Sequence, residues 1–171
     1  FIKASSVSSN VGDRGVVAVP LQLSGTGAVY EITKAQFATK NYNTDIGDLS
    51  NEVCLREIFC HANKVVIYDT SGTDEDAENA VKALEAYEFN VVCAYTSDAT
   101  EAKTYIDKVK TWRDELGKKC QVVVYNQTNP DYEGVINVVS TVADAGADTH
   151  ALVAWVAGAE AACKVNESCT N

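Results

Sequence analysis

The sequence predicts a single α/β domain with a mainly parallel or mixed sheet and helices on both of its faces. Short apolar runs rich in β-branched residues, typical of strands buried on both sides, alternate with longer segments of helical period. This alternation indicates crossover connections, which are right-handed between parallel strands. The 171 residues suit one domain, and 46% hydrophobic against 22% charged residues is a usual globular composition.

Ten elements are predicted in the order β, α, α, β, α, β, α, β, β, α. Strands are assigned to apolar β-branched runs, and helices to segments with apolar residues three and four positions apart. The predicted ranges, in chain order, are 14–23, 33–40, 49–63, 64–68, 74–87, 89–95, 97–117, 120–126, 133–140 and 149–165. No element is predicted between residues 24 and 32, where SGTG at 24–27 indicates a turn.

Capping and breaking residues predict where these elements end. Pro20 places the end of the first strand near a sheet edge or a bulge, because proline cannot donate to the strand ladder. Gly117 is expected to end the long helix as its C′ residue, and Asn137 places the last strand nearer an edge. The expected helix N-caps are Thr33, Ser50, Thr73 and either Asp98 or Ser97.

Two helices carry apolar patterns that predict how they pack. The last helix is apolar almost all round, so it is expected to be buried on more than one side. The buried stripe expected in the helix over 97–117 comprises Ile106, Val109, Trp112 and Leu116. The small residues of the last helix that would let a neighbouring element approach closely are Gly158, Ala159, Ala161 and Ala162.

The net charge of −10 argues against partners that are themselves negatively charged. Nucleic acid and anionic membrane surfaces bind basic protein surfaces, so neither is expected as a partner. The acidic residues are spread along the chain, as in exposed helix faces. No apolar run approaches the about 20 residues of a membrane span, and residues 1–15 lack the charged and apolar regions of a signal peptide.

The six cysteines predict free thiols rather than three disulfides. Cys93 and Cys120 fall in or beside predicted buried strands, and Cys54, Cys60 and Cys163 fall on predicted helices. Free cysteine behaves as a small buried hydrophobe, and a chain of this length does not need disulfides to hold its core. We therefore expect reduced thiols in a cytosolic setting, with a secreted disulfide-bonded domain as the alternative.

The predicted carboxyl ends of the strands, where ligands bind in α/β folds, carry no recognisable catalytic motif. SGTG at 24–27 lacks the Lys-Ser/Thr of a P-loop and the spacing of a dinucleotide fingerprint. The acidic DTSGTDED at 69–76 would repel a phosphate. Its Asp69, Asp74 and Asp76 could bind magnesium, but a solvated loop and helix start is the simpler interpretation.

Histidine and cysteine spacing does not predict a catalytic or zinc site either. His61 lies at the end of a predicted helix and His150 in the first turn of another, and neither is near a nucleophile elbow or an evident cysteine partner in sequence. Two cysteine pairs are each six positions apart, instead of the three of a zinc-binding C-x-x-C: Cys54/Cys60 and Cys163/Cys169. No residue is therefore predicted to be catalytic, to bind a cofactor or to bind a metal.

Three stretches, in order along the chain, resemble contractile phage tail sheath proteins. SSVSSNVGDRGVVAVPLQL at 5–23 is similar to their first-strand region, in which a Ser-rich lead precedes an R-G-apolar-P strand. LEAYEFNVVCAY at 84–95 resembles an acidic, aromatic helix end followed by a strand. AWVAGAEAACKVNESCTN at 154–171 resembles their W-V-A-G helix, and EGVINV at 133–138 also fits. The resemblance is to sheaths of Gram-positive myophages, defective prophages and phage-tail-like bacteriocins.

The resemblance implies a structural protein, not an enzyme, with no cofactor. Such proteins stack as hexameric rings around a tail tube and contract to drive the tube through a cell envelope. Their terminal arms add strands to the sheets of neighbours. The implied partners are therefore other sheath subunits, the tail tube protein and the baseplate, without nucleic acid or membrane insertion. The implied location is the virion tail sheath, assembled in the cytoplasm of the bacterial host.

The resemblance also implies that residues 1–171 are the α/β core of a sheath protein. Family members carry arms at both ends, and many insert an outer domain between the segments matching 64–68 and 74–87. The arms and the insert are expected to be absent here, and SGTG at 24–27 stands where the family usually has Trp-Gly. A flavodoxin-like or nucleotide-binding α/β enzyme remains the alternative.

Overall fold

The computed structural model describes residues 14–23, 27–40, 49–72, 76–128, 130–139 and 149–163. These residues form six strands and five helices. The strands are β1 (Val16–Leu21), β2 (Val29–Thr33), β3 (Lys64–Asp69), β4 (Val91–Cys93), β5 (Gln121–Tyr125) and β6 (Val135–Val138). The helices are α1 (Lys34–Ala38), α2 (Leu49–Phe59), α3 (Ala77–Leu84), α4 (Ala99–Asp114) and α5 (Thr149–Ala162).

The strands form one mixed sheet in the order β2-β3-β1-β4-β5-β6. Five strands run parallel, and β2 pairs antiparallel with β3. Helices α2 and α5 pack on one face and α3 and α4 on the other, which confirms the predicted fold class. The chain passes from β1 to β3 on one side and then to β4 on the other, so a topological switch point lies between β1 and β4.

Strand β2 corrects the sequence analysis, which predicted no element between 24 and 32. Ile32 is the one buried residue of this five-residue strand, and Glu31 and Thr33 are exposed. A single buried side chain gives almost no alternating pattern, and α1 follows directly. The strand is defined by its pairing with β3, in which Ile32 lies opposite Val65.

Pro20 is a second correction, because β1 lies in the centre of the sheet and not at an edge. The pairing of β1 with β4 stops at Ala18 opposite Val92. The next main-chain group of β1 that faces β4 after Ala18 is at position 20, and Pro20 has no N–H to donate. The carbonyl oxygen of Cys93 accepts instead from the N–H of Tyr95 at 3.0 Å. Since β1 remains paired with β3 along its length, the proline ends pairing on one side only.

The small residues of α5 bring its backbone against α2. A Cβ atom added to Gly158 would press on the carbonyl oxygen of Ile58 and lie 3.1 Å from the Ile58 Cα. Ala154, Ala157 and Ala161 are buried at the same interface with the sheet and α2. This contact confirms the close approach that the sequence predicted at Gly158.

The opposite face of the sheet is organised around the fully buried Trp112 of α4. Its ring meets Phe89 edge-on, with 5.4 Å between centroids. Its Nε1 donates to Glu85 Oε2 at 2.9 Å, and Lys108 Nζ lies 2.6 Å from the same oxygen. The hydrogen bond from Lys108, followed by that from Trp112, lowers the pKa of Glu85 below its ordinary value. These contacts tie the end of α3 to the middle of α4.

Several predicted helix ends are confirmed. Thr33 caps α1 in a capping box, with its hydroxyl accepting from Gln36 N–H and its own N–H donating to the Gln36 side chain. Asp98 caps α4 through two backbone N–H groups. Gly117 adopts φ +65°, a left-handed conformation that suits glycine. It lies two residues beyond the C-cap Glu115, one position later than predicted.

Other predicted ends are wrong. The N-cap of α3 is Asp76 rather than Thr73, because its carboxylate accepts from Asn79 N–H. Ser50 lies inside α2, which begins one residue earlier. Leu116, predicted in the buried stripe of α4, is 60% exposed because the helix has ended before it. Ile106, Val109 and Trp112 are buried as predicted.

Helix α5 is buried on two sides, against α2 and the sheet, as predicted, but its outer face is exposed. Val153, Ala157 and Ala161 face the core. Leu152 and Trp155 are exposed, and Trp155 shows 41% of its surface. The outer face of α5 therefore leaves two large apolar side chains outside the core.

The cysteines are not all free thiols, contrary to the prediction. Cys163, which follows α5, is disulfide-bonded. The four free cysteines in the described ranges are Cys54, Cys60, Cys93 and Cys120. The sixth, Cys169, lies outside the described residues. Burial raises the pKa of the Cys120 thiol to about 11, which keeps it protonated and unreactive.

Thiol titration is expected to distinguish the exposed, the buried and the disulfide-bonded cysteines. The native protein without reductant should expose one reactive thiol, because Cys60 is exposed while Cys54, Cys93 and Cys120 are buried. In denaturant the count should rise to four, and after reduction to six, since a disulfide removes two of the six cysteines. Six thiols in denaturant before reduction would contradict the disulfide at Cys163.

Candidate functional site

A cleft of about 380 Å³ opens at the switch point, at the carboxyl ends of β1, β3 and β4. Open α/β sheets bind ligands at this position, because the connections diverge from it to opposite faces. Pro20 lines the cleft and ends the pairing of β1 with β4 at the same place. The other wall carries Tyr95 and Thr96 after β4, and Glu101 and Tyr105 on α4.

Two carboxylates at helix N termini lie in the walls of the cleft. Asp76 precedes α3 and accepts from Asn79 N–H at 3.0 Å. Glu101 lies in the first turn of α4 and accepts from the Thr96 hydroxyl at 2.5 Å. Burial raises the pKa of Tyr105 well above its ordinary value, and the carboxylates of Glu101 and Asp76 raise it further. The Tyr105 hydroxyl therefore remains protonated beside two acidic groups.

A third carboxylate, Asp69, is fully buried at the end of β3. Its Oδ1 accepts from the N–H groups of Leu23 at 3.0 Å and Ser71 at 2.9 Å. Its Oδ2 is buried with no hydrogen-bond partner in the described part of the chain. These bonds hold together the chain segments that leave β1 and β3. Gln22 and Thr70, which adjoin Leu23 and Ser71 in sequence, line the cleft.

Among the described strands, β6 lies at the edge of the sheet beyond β5, which confirms the position nearer an edge that Asn137 predicts. Val122 N–H donates to Gly134 O at 2.9 Å, and Asn126 N–H donates to Val138 O at 3.0 Å. In a parallel ladder, every second residue of a strand bonds the same neighbouring strand. Gly134 and Val138 bond β5, so the main-chain groups of Asn137 and Val139 point away from β5. Within the described ranges, neither main-chain N–H has a partner. Val139 is 66% exposed.

The other edge strand, β2, is protected against further pairing. Glu31 forms an ion pair with Lys64 at 2.9 Å and places charge on this edge. The N–H of Thr33 already donates to the Gln36 side chain at 2.9 Å, and α1 starts immediately afterward. Charged side chains and a covering helix are the features by which proteins prevent edge pairing. β6 carries no charged residue, so it is the edge that can accept another strand.

In the described part of the chain, the two candidate magnesium ligands have other roles. Asp69 and Asp76 lie at the same edge of the sheet, but Asp69 bonds two backbone N–H groups and Asp76 caps α3. Asp74 lies outside the described residues. Across the described ranges, no group of three or more His, Cys, Asp or Glu residues could hold a metal ion.

The two histidines lie at opposite ends of the parallel strands, His61 at the amino ends and His150 at the carboxyl ends. His61 follows α2 and meets Trp155 edge-on, with ring centroids 4.9 Å apart. His150 starts α5 and packs against Tyr95 at 5.8 Å and Tyr125 at 5.2 Å. Both side chains therefore pack against aromatic rings, and the fold does not bring them together.

The cleft was missed because no local motif marks it. Tyr95 ends the strand predicted over 89–95, and Glu101 and Tyr105 fall in the helix predicted over 97–117. The strand order would have indicated the cleft, because β3 and β4 lie on opposite sides of β1 and this arrangement creates a switch point. That order depends on long-range pairing, which local patterns do not contain.

Comparisons with known proteins agree with the fold. The sheath tail protein of Desulfitobacterium hafniense matches with a TM-score of 0.73 and 21% identity, over 98% of this chain and 63% of that one. The sheath tail protein Lin1278 of Listeria innocua matches with a TM-score of 0.72 and 21% identity, over 92% of this chain and 58% of that one. The chain therefore spans less than two thirds of each structure. No curated protein matches it.

None of the described helices is long and apolar enough to cross a membrane. Residues 71–171 match the family description "Phage tail sheath protein central domain". This segment covers more than half of the chain and contains three of the six strands. With the structural neighbours sharing its fold, the chain belongs to the phage tail sheath protein family.

Proposed function

We propose that the chain is a structural subunit of a contractile phage-type tail sheath. Its copies assemble as stacked hexameric rings around the tail tube, and contraction drives the tube through the cell envelope. The observation that carries the proposal is the uncharged, open edge of β6 in a member of a family that builds sheaths. Such an edge lets subunits join through main-chain hydrogen bonds without a catalytic or ligand-binding centre.

The joining step is the addition of a strand to β6 by an arm of a neighbouring subunit. The outward N–H groups of Asn137 and Val139 donate to the incoming strand. The side chain of Asn137 does not compete, because its Oδ1 accepts from Gln127 N–H at 2.9 Å and its Nδ2 donates to Gln127 O at 2.8 Å. This pairing turns the side chain toward the β5 side and leaves the outer main chain accessible.

The proposal includes the location and the other partners of the sheath. The subunits assemble in the cytoplasm of the bacterial host and become part of the virion tail, in contact with the tube protein and the baseplate. Residues 1–171 form the α/β core of the subunit, without the terminal arms and without the outer insert between 64–68 and 74–87. The limited coverage of the two structural neighbours, 63% and 58% of their lengths, supports this division.

A nucleotide-binding function fits the same fold less well. The switch-point cleft is the place where such a ligand would bind. Its walls carry the carboxylates of Asp76 and Glu101, and Asp69 adjoins it. These negative groups would repel the phosphate groups of a nucleotide. Membership of the sheath family also supports a structural role.

Replacing Val139 by lysine tests the joining step. The exposed side chain tolerates the change, so the melting temperature should stay within about 2 °C of wild type. A lysine on an open edge opposes strand addition. Placed in a version of the subunit that carries the terminal arms and co-expressed with the tube protein of its source, the substitution should give at least about tenfold fewer tubes by negative-stain electron microscopy, which corresponds to about 1.4 kcal/mol.

Leu116→Lys is the matched control, because Leu116 is also an exposed apolar residue but follows α4, away from the sheet edges. It should assemble as wild type does. Equal tube yields for V139K and L116K would exclude β6 as the joining edge. Failure of the wild-type subunit with its terminal arms to form tubes would contradict the proposed function itself.

A further inference from the structure

The cysteine that follows α5 is the one described cysteine that is not a free thiol, because Cys163 is disulfide-bonded. The free thiols are Cys54, Cys60, Cys93 and Cys120. By elimination among the six cysteines of the sequence, the partner of Cys163 is Cys169. The two positions are six apart, so the bond closes a short loop directly after the helix.

A disulfide between these two positions is incompatible with a longer α5. Two Cα atoms six positions apart on an α-helix are separated by about 10 Å, whereas a disulfide requires Cα atoms within about 7 Å. The bond therefore excludes a helix that runs through both Cys163 and Cys169. The sequence pattern predicts a helix as far as residue 165, three residues beyond Ala162, the last residue of α5. Only without the bond can the helix continue in this way to Cys169.

The last carbonyl oxygens of α5 are used by the segment that precedes β1. A helix leaves its last four carbonyl oxygens without partners inside the helix. Ala161 O accepts from Gly15 N–H at 2.8 Å, and Cys163 O accepts from the Arg14 side chain. Gly15 O in turn accepts from Asn63 N–H at 2.8 Å. These bonds, which we call the α5 junction, join the end of α5 to the segments that lead into β1 and β3.

A longer α5 would compete for the same carbonyl oxygens. In an α-helix the N–H of each residue donates to the carbonyl oxygen four positions earlier. Val165 N–H would therefore donate to Ala161 O, and Glu167 N–H would donate to Cys163 O. The donors of the segment before β1 would then have to give up or share these acceptors. A short α5 with the junction and a longer α5 without it are therefore alternatives.

We propose that the Cys163–Cys169 disulfide is a redox-sensitive switch that keeps α5 short and the α5 junction closed. Oxidised glutathione or another small disulfide supplies the oxidant by thiol–disulfide exchange. The two cysteines give up two protons and two electrons to form the S–S bond, and the small disulfide is released as two thiols. Cys163 is half-buried rather than enclosed in the core, so small thiols and disulfides can reach it.

The timing of the switch rests on the proposed function. The bacterial cytosol keeps thiols reduced, whereas disulfides persist on virions and outside cells. A subunit that assembles in the cytoplasm is therefore reduced, and the segment before β1 can leave the end of α5. After release from the cell the disulfide forms, and this segment is held against α5.

Peptide mapping of the protein without reductant tests the pairing. Free thiols are first alkylated in denaturant, which labels Cys120. Trypsin then cuts after Lys164, between the two bonded cysteines. The peptide that ends at Lys164 and the peptide that begins at Val165 should stay linked until reduction. A different linkage, or a disulfide-linked dimer on a non-reducing gel, would overturn the switch.

Hydrogen exchange of the Gly15 amide, followed by NMR, tests the effect of the bond. Reduction of the wild type with a phosphine should accelerate this exchange at least about tenfold. The amide of Asn90, which donates to Val16 O at 2.9 Å, is the internal control and should not respond. C169S should match the reduced wild type with or without reductant. C60S, which removes an exposed free thiol, should respond as the wild type does.

Equal exchange of the Gly15 amide before and after reduction would overturn the switch. Neither measurement needs assembled tubes, so the switch and the proposed function fail separately. If the exchange does not respond but the wild-type subunit with its arms forms tubes, the switch fails and the proposed function stands. If the exchange responds but that subunit forms no tubes, the switch stands and its timing fails with the proposed function.

Discussion

Replacing Gly158 by alanine is expected to lower the free energy of unfolding by about 2 kcal/mol. The added Cβ would press on the carbonyl oxygen of Ile58, so α5 and α2 must separate. Overpacking costs about 1–3 kcal/mol. Here the obstacle is a backbone atom, which cannot rotate away as a side chain can. The overpacking cost therefore lies at or above the upper end of that range. It outweighs the about 1 kcal/mol that alanine gains over glycine in a helix.

Equilibrium denaturation in urea measures this effect, with G158V expected to destabilise more than G158A. Gly117→Ala is the matched control, because a Cβ at Gly117 meets nothing within 4 Å and only the left-handed φ of +65° opposes it. Its cost should be about 1 kcal/mol. A neutral or stabilising G158A would mean that α2 and α5 do not touch at this position.

Replacing Trp112 by alanine is expected to destabilise the fold by about 3–5 kcal/mol. The side chain is fully buried in the core beneath α3 and α4. Its loss removes the edge-on contact with Phe89 and the hydrogen bond to Glu85. At roughly 2–4 °C per kcal/mol, the melting temperature should fall by about 6–20 °C.

Trp155→Ala is the control for this substitution, since it removes the same side chain from an exposed position on α5. Its effect on the melting temperature should be well below that of W112A. Trp112→Phe should lie between them, because it keeps a ring against Phe89 but gives up the indole N–H bond to Glu85. Equal losses for W112A and W155A would contradict the described burial.

The parts of the fold that were predicted correctly depend on local chemistry. The parallel strands are continuous apolar runs, and the caps at Thr33 and Asp98 satisfy backbone N–H groups within three residues. Gly158 was predicted as a contact point because small residues in an apolar helix have few other uses. Each of these signals is contained within one segment of the chain.

The parts that were missed depend on pairing between distant segments. Pro20 lies in a central strand because its missing N–H faces β4 at the place where pairing ends, and no local pattern shows this. β2 has one buried residue and is stabilised by β3. The cleft combines residues from the connections after β1, β3 and β4. The resemblance in sequence identified the family where physical patterns alone gave only a fold class.

Immunogold electron microscopy can show whether this chain is a tail sheath subunit. Antibodies raised against the folded core should be applied to particles released by the producing cells. Gold particles are expected along the full length of the outer surface of tubular tails, extended and contracted. Tails that remain unlabelled, while the antibodies find the chain only in material without tails, would contradict that role.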